Sequence, residues 1–233
     1  MKKLIAITAA LATLAVSATA EALTPYVEGQ LGIARLDDVN PNPYSEILGY
    51  DVYNGNLLSI TKTTIRDKRE YDSSATFGAE FGFKDVIVPN LRIGASISTM
   101  KFDLKSVQID AVITLGSFGV IDTLTGTSNK DSVGSLFYNR VNLYMLNAYY
   151  DFKTSTAFTP FVGFGIGLAD IKNAKDNEFA YSVNAGAKYN IDKNVYVGAK
   201  GAYTRVNGPT DQLGIKYQDI DVYSANLSIG YEF

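Results

Sequence analysis

One pattern limits this chain more than any other. Apolar residues alternate strictly with small or polar ones in run after run, and the last run carries through to Phe233. Such alternation sends neighbouring side chains to opposite faces of a strand. It recurs eight times. PYVEGQLGIA sets Val27, Leu31 and Ile33 against Glu28, Gln30 and Gly32. SATFGAEFGF sets Ala75, Phe77, Ala79, Phe81 and Phe83 against Ser74, Thr76, Gly78, Glu80 and Gly82. LRIGASIST, VNLYMLNAYYDF, TPFVGFGIGLA, EFAYSVNAGAKY and NVYVGAKGAYT follow. The final run sets Tyr223, Ala225, Leu227, Ile229, Tyr231 and Phe233 against Ser224, Asn226, Ser228, Gly230 and Glu232. An all-β fold is expected.

Period alone does not say which face is buried, because a soluble sandwich and a membrane barrel alternate alike. The connections discriminate. The first four links run to roughly 36, 7, 36 and 6 residues, the sorting expected of a barrel with long loops outside and tight turns in the periplasm. A Greek-key sandwich has no reason to sort its loops so. Aromatic residues also gather at the ends assigned to the periplasm: Phe81 and Phe83, Tyr150 and Phe152, Tyr189, Tyr231 and Phe233. This is the girdle of a membrane interface, made of Tyr and Phe. The expected fold is therefore an eight-stranded antiparallel transmembrane β-barrel. Leu146, Val183 and Leu227 should face lipid, and Asn147, Asn184 and Asn226 should face inward.

The amino-terminal stretch agrees with export. Lys2 and Lys3 precede an apolar run from Leu4 to Val16, and Ala18-Thr19-Ala20 supplies small residues for cleavage. This is the layout of a signal peptide. Ala20 and Ala22 offer a second cleavage site. Residues 1–20 are expected to be the signal peptide and 21–233 the barrel domain, with long extracellular loops at about 35–70 and 103–138. There is no cysteine, so neither a disulfide nor thiol chemistry is available. The net charge of −3 lacks the basic excess that nucleic acid requires.

The segments TPYVEGQLG, LNAYYDF, TPFVGFGIGLA and the closing YEF resemble the opacity-type outer-membrane β-barrel family. This is the small eight-stranded class similar to the barrel of outer-membrane protein A. The resemblance spans about residues 23–233. It implies a bacterial outer-membrane location and a role in adhesion or envelope integrity. It also implies that the soluble peptidoglycan-binding domain of outer-membrane protein A is absent. The spacing of Leu227, Ile229, Tyr231 and Phe233 resembles the carboxy-terminal signal read by the outer-membrane insertion machinery.

Chemistry is sparsely marked. Glu28, Glu80, Arg92, Lys188, Lys200 and Glu232 fall on the inward phase, three of each sign. They are expected to form interior ion pairs in a lumen that eight strands leave just wide enough for side chains. Arg92 is the first candidate partner for Glu80. Outer-membrane deacylases, omptin-type proteases and phospholipases resemble this architecture but use a histidine, and this chain has none to act as a base near neutral pH. No catalysis, cofactor or metal site is expected, although Asp37-Asp38 and Lys175 to Glu178 carry oxygen ligands of the kind calcium takes. Gly163, Gly165 and Gly167 sit within a strand pattern with no helix behind them, so a phosphate-loop reading fails.

The long links hold whatever specificity exists. GYDVYNGNLLSI contains an Asn-Gly pair between strand-like flanks, a hairpin signal. Leu104 to Thr125 is unusually apolar for a loop. Two readings stay open there: strands that continue above the membrane, or a surface for another protein. The expected partners are outer-membrane lipid and lipopolysaccharide, the insertion machinery, and a host or extracellular protein at the loops. The expected function is a structural or adhesive surface protein, with a narrow porin for small solutes as the alternative and an outer-membrane enzyme as a third.

Overall fold

A computed structural model describes residues 23–37, 44–53, 56–115, 119–129, 140–210, 212, 214 and 216–233. Its strands are β1 (Thr24–Leu36), β2 (Tyr44–Tyr53), β3 (Asn56–Tyr71), β4 (Ser74–Lys84), β5 (Leu91–Lys101) and β6 (Leu104–Leu115). They continue as β7 (Gly119–Asn129), β8 (Arg140–Asp151), β9 (Phe158–Ile171), β10 (Glu178–Asn190), β11 (Val195–Val206) and β12 (Ile220–Glu232). Eight of them close a barrel in the order β1-β12-β11-β10-β9-β8-β5-β4, every pair antiparallel. The last strand closes on the first, with Leu31 opposite Leu227 and the Phe233 N–H donating to the Pro25 carbonyl at 3.0 Å. Closure matters because an open edge in lipid would leave backbone donors and acceptors unpaired.

The remaining four strands occupy the two long links. β2-β3-β6-β7 form one antiparallel sheet, so the hairpins from the two links pair with each other through β3 and β6. Tyr53 pairs with Asn56 across Asn54-Gly55, which themselves lie outside the described residues. Of the two readings open for Leu104 to Thr125, the backbone is strand for Leu104–Leu115 and again from Gly119. β3 and β6 run on from the barrel: Tyr71 pairs with Leu104, and the Asp72 N–H donates to the Asp103 carbonyl at 3.0 Å.

The outward face is an apolar belt. Ile33 is 65% exposed, Leu227 69% and Val183 55%, whereas Asn147 and Asn184 are buried inside. This is the inverse of a soluble sandwich, in which the exposed face is polar. At the short-turn end, Phe81, Tyr150, Phe152, Tyr189, Tyr231 and Phe233 are all exposed outward, joined by Phe158. Three pairs meet edge to face: Phe81 with Phe83 at 5.4 Å, Tyr150 with Phe152 at 5.2 Å, and Tyr231 with Phe233 at 5.0 Å between centroids.

Inside, glycines face large rings on neighbouring strands. A Cβ on Gly94 would lie 2.3 Å from the Tyr26 hydroxyl, one on Gly163 2.3 Å from the Tyr149 ring, and one on Gly230 2.1 Å from the Tyr196 ring. The glycine in the inward phase is therefore the space a tyrosine fills. Close packing of that kind leaves no room for even one added methyl.

Candidate functional site

The interior has three tiers, each built from inward-facing strand positions. Near the short-turn end it is charged. β1 and β4 place Glu28 opposite Glu80, two carboxylates on directly paired residues. Such a like-charged pair is unfavourable unless other groups satisfy it. Glu80 accepts from the Tyr26 hydroxyl at 2.5 Å, the Tyr149 hydroxyl at 2.8 Å and the Asn147 amide at 3.0 Å. Glu28 accepts from the Tyr196 hydroxyl and the Gln30 amide, both at 2.8 Å.

Arg92 does not form its ion pair with Glu80, the partner first suggested by sequence. Its Nη2 lies 3.3 Å from Asp151, and its guanidinium is enclosed by the rings of Tyr149 at 4.4 Å, Tyr26 at 5.1 Å and Phe161 at 5.1 Å. The physical reason is register. Arg92 pairs with Tyr149 on β8, which puts Asp151 one inward step away, whereas on β4 its partner is Lys84. Lys188 shares the same carboxylate at 2.7 Å and lies 3.6 Å from Glu232. Glu232 also pairs with Lys84 at the mouth. Lys200 stands apart, a tier higher, with Nζ 3.5 Å from the Tyr149 hydroxyl.

Above this lies a mostly uncharged polar tier around a cavity of about 50 Å³, lined by Thr76, Ser96, Ser98, Asn147, Ser182, Asn184 and Asn226 among others, with Lys200 as its one charged lining residue. That volume suits a water or two, not a solute path. The third tier, towards the long links, is apolar: Leu36, Met100, Phe102, Val141, Leu143, Ile171, Val206, Ile220 and Val222 form one buried cluster with Tyr71 and Tyr217. The polar interior general to membrane barrels ends here. The outward residues at this level, Arg35, Lys101 and Arg140, are charged and exposed, so the strands have left the apolar belt. With water outside, the apolar side must turn inward.

The lumen is thus filled. Arg92 is 2% exposed, Tyr26 0% and Tyr196 1%, so side chains block the section that a solute would cross. A second cavity of about 270 Å³ lies at the short-turn mouth, lined by Lys84, Asp151, Lys188 and Glu232 among others. Asp151, Lys84 and the three tyrosines were absent from the sequence-based set. The inward phase pointed to Asp151 and Tyr149, but only the fold shows which inward residues share a level. Among the described residues, no three His, Cys, Asp or Glu side chains come together as a metal site. Asp38 lies outside the described residues.

Comparison with known proteins agrees with this architecture. A family model described as the outer membrane protein beta-barrel domain matches residues 6–233. Outer membrane protein PagN of Salmonella typhimurium is 38% identical over 80 residues, covering 28% of this chain and 34% of PagN, so the match spans about a third of that relative. Protein opa of Haemophilus influenzae is 30% identical over 94 residues, covering 36% of this chain and 73% of that protein. Among solved structures, Neisserial surface protein A is similar with a TM-score of 0.54 at 11% identity, covering 90% of this chain and 97% of that one. At that identity the likeness is one of fold. The chain belongs to the outer membrane protein beta-barrel family, as an eight-stranded opacity-type barrel of the bacterial outer membrane.

Proposed function

We propose that this protein is a non-conducting, non-catalytic surface barrel that works through the sheet its two long hairpins raise beyond the membrane. The observation that carries this reading is the filled lumen, in which Arg92 is enclosed by three aromatic rings and tied to Asp151. A transport role needs a path, and enzyme barrels need a general base. The polar residues here are engaged in holding the barrel shut. Loops on a rigid scaffold are where binding specificity resides, and β2 and β7 are the two edges of the hairpin sheet. A structural or adhesive role follows, with an extracellular or host protein as the partner. The relatives fit this at the level of location and fold.

The insertion machinery is the second proposed partner. Leu227, Ile229, Tyr231 and Phe233 all point outward and are exposed, so a docking protein could read them before the barrel enters lipid. Residues 1–20 serve as the proposed signal peptide.

The test has two arms. Refolded protein in planar bilayers should pass no steady current, and replacing residues 44–65 and 107–127 with short turns should leave a heat-modifiable barrel that no longer supports attachment of expressing cells to a host-cell layer. Large steady single-channel currents would overturn the closed lumen and favour a narrow porin. Unchanged attachment without the hairpins would overturn the role given to the sheet.

A further inference from the structure

Charge on the outward rim of the long-link end is uneven. On β11 and β12, Arg205 lies 3.3 Å from Asp219 and 3.6 Å from Asp221, so its charge is matched. The opposite side differs. Lys101 on β5 and Arg140 on β8 are direct cross-strand partners on the outward face. Lys172, just past β9, donates its backbone N–H to the Arg140 carbonyl at 3.0 Å and so joins the same rim. All three side chains are exposed. Among the described residues none of them forms an ion pair. Two acids lie near that rim: Asp170, engaged by the Asn142 amide at 3.3 Å, and Asp103, exposed two residues past Lys101. Like charges directly opposite each other weaken a strand pair, and among the described residues no ion pair relieves Lys101 and Arg140.

A second observation lies below and to one side, where a groove centred on β1 and β4 reaches β5 and β8 at its edge. The belt bears a groove of about 740 Å³, with Gly29, Ala79 and Ala95 as small residues between Phe81, Ile97 and Tyr144. Ile97 and Tyr144 are themselves cross-strand partners on β5 and β8. They lie two outward steps below Lys101 and Arg140, roughly 13 Å along the strands. A Cβ on Gly29 would meet nothing within 4 Å, so the floor of the groove is open.

We propose that the outward face running from the rim of β5 and β8 down into the groove on β1 and β4 is a binding site for one phosphorylated, acylated lipid of the outer leaflet. Its phosphate sits among Lys101, Arg140 and Lys172, and an acyl chain lies in the groove. The charged rim borders the apolar belt on its watery side and the groove lies within the belt, so together they fit a ligand with an anionic head and an apolar tail. A free anion satisfies only the rim, and a zwitterionic lipid brings no net charge to it. The site rests on the orientation given above, with the long hairpins outside the cell.

The test uses the full chain refolded in detergent, titrated with lipid A, with dephosphorylated lipid A and with inorganic phosphate, counting retained lipid by native mass spectrometry. One lipid A per barrel should be retained, and Lys101→Gln with Arg140→Gln should weaken retention on the order of thirtyfold. Lys172→Gln, beyond the end of β9, should weaken it about fivefold and keeps the test decisive if the double variant folds poorly. Gly29→Leu should reduce retention by filling the groove while leaving the rim intact. Undiminished retention in the charge variants, equal retention of dephosphorylated lipid, or full displacement by millimolar inorganic phosphate would each overturn the site. Proteolysis of the hairpins on intact cells reports orientation separately, and bilayer conductance reports the closed lumen.

Discussion

At Asp151 one buried carboxylate serves two cations, Arg92 at 3.3 Å and Lys188 at 2.7 Å. Removing it leaves both without their closest anion, and a buried ion that loses its partner costs about 3–5 kcal/mol. Asp151→Ala should therefore lower the urea midpoint of the refolded barrel more than Glu232→Ala, which sits at the mouth. Adding Lys188→Met to Asp151→Ala should restore part of the loss; no recovery would mean that the carboxylate acts alone. The glycine sites make a sharper case. Gly230→Ala places a methyl against the Tyr196 ring, and overpacking of this kind costs about 1–3 kcal/mol. Tyr196→Ser in the same chain should relieve it, measured by the same unfolding titration. This site was half legible in the sequence. Alternation placed Glu28, Glu80, Arg92 and Lys188 on one phase, and a phase is a local property. The pairing of Arg92 with Asp151 and the fit of Tyr196 over Gly230 depend on the stagger between strands, which no single strand encodes.

Each barrel strand reads the solvent it crosses, and that sets what a charge costs at each depth. Leu227, in the middle of β12 and 69% exposed, faces the belt. Thr99 faces outward on β5 two residues short of Lys101, at the rim. Leu227→Arg should cost about 2–4 kcal/mol in lipid vesicles and Thr99→Arg about 0–1 kcal/mol. Equal costs in refolding titrations would mean that the belt does not end where the strands turn charged. All eight barrel strands were visible as alternation, because one face of each meets lipid and the other a packed interior. The hairpin strands were less visible. β3 carries charged and hydroxyl residues on both phases, and β7 spreads its few apolar residues, Val120, Ile121 and Leu124, over both, as strands do when neither face meets lipid. The reversal in the third tier was hidden for a related reason: period two survives when inside and outside exchange polarity.

The molecule as a whole is a closed cylinder with a polar plug and an apolar cap. If the layer of Tyr26, Arg92 and Tyr149 is what blocks it, Tyr26→Ser, Arg92→Ser and Tyr149→Ser together should create ion flow in planar bilayers where the parent shows none. A triple variant that folds and still stays shut would place the block in the apolar tier. The three edge-on aromatic pairs carry another consequence. Phe81 with Phe83, Tyr150 with Phe152, and Tyr231 with Phe233 close the strands β4, β8 and β12, all of which descend to the same girdle. Tyr144, Leu146, Ala148, Tyr150 and Phe152 repeat the outward spacing of the final run on β8. Because Pro25 and Phe233 are hydrogen-bonded neighbours, a short linker could join them and the ring could be reopened elsewhere. A circular permutant cut after Phe152 would present the same aromatic ending to the assembly apparatus and should reach the outer membrane. One cut after Lys193, on a turn whose strand ends in Tyr189 and Ile191, has the same cylinder but a different last residue and should stall in the periplasm.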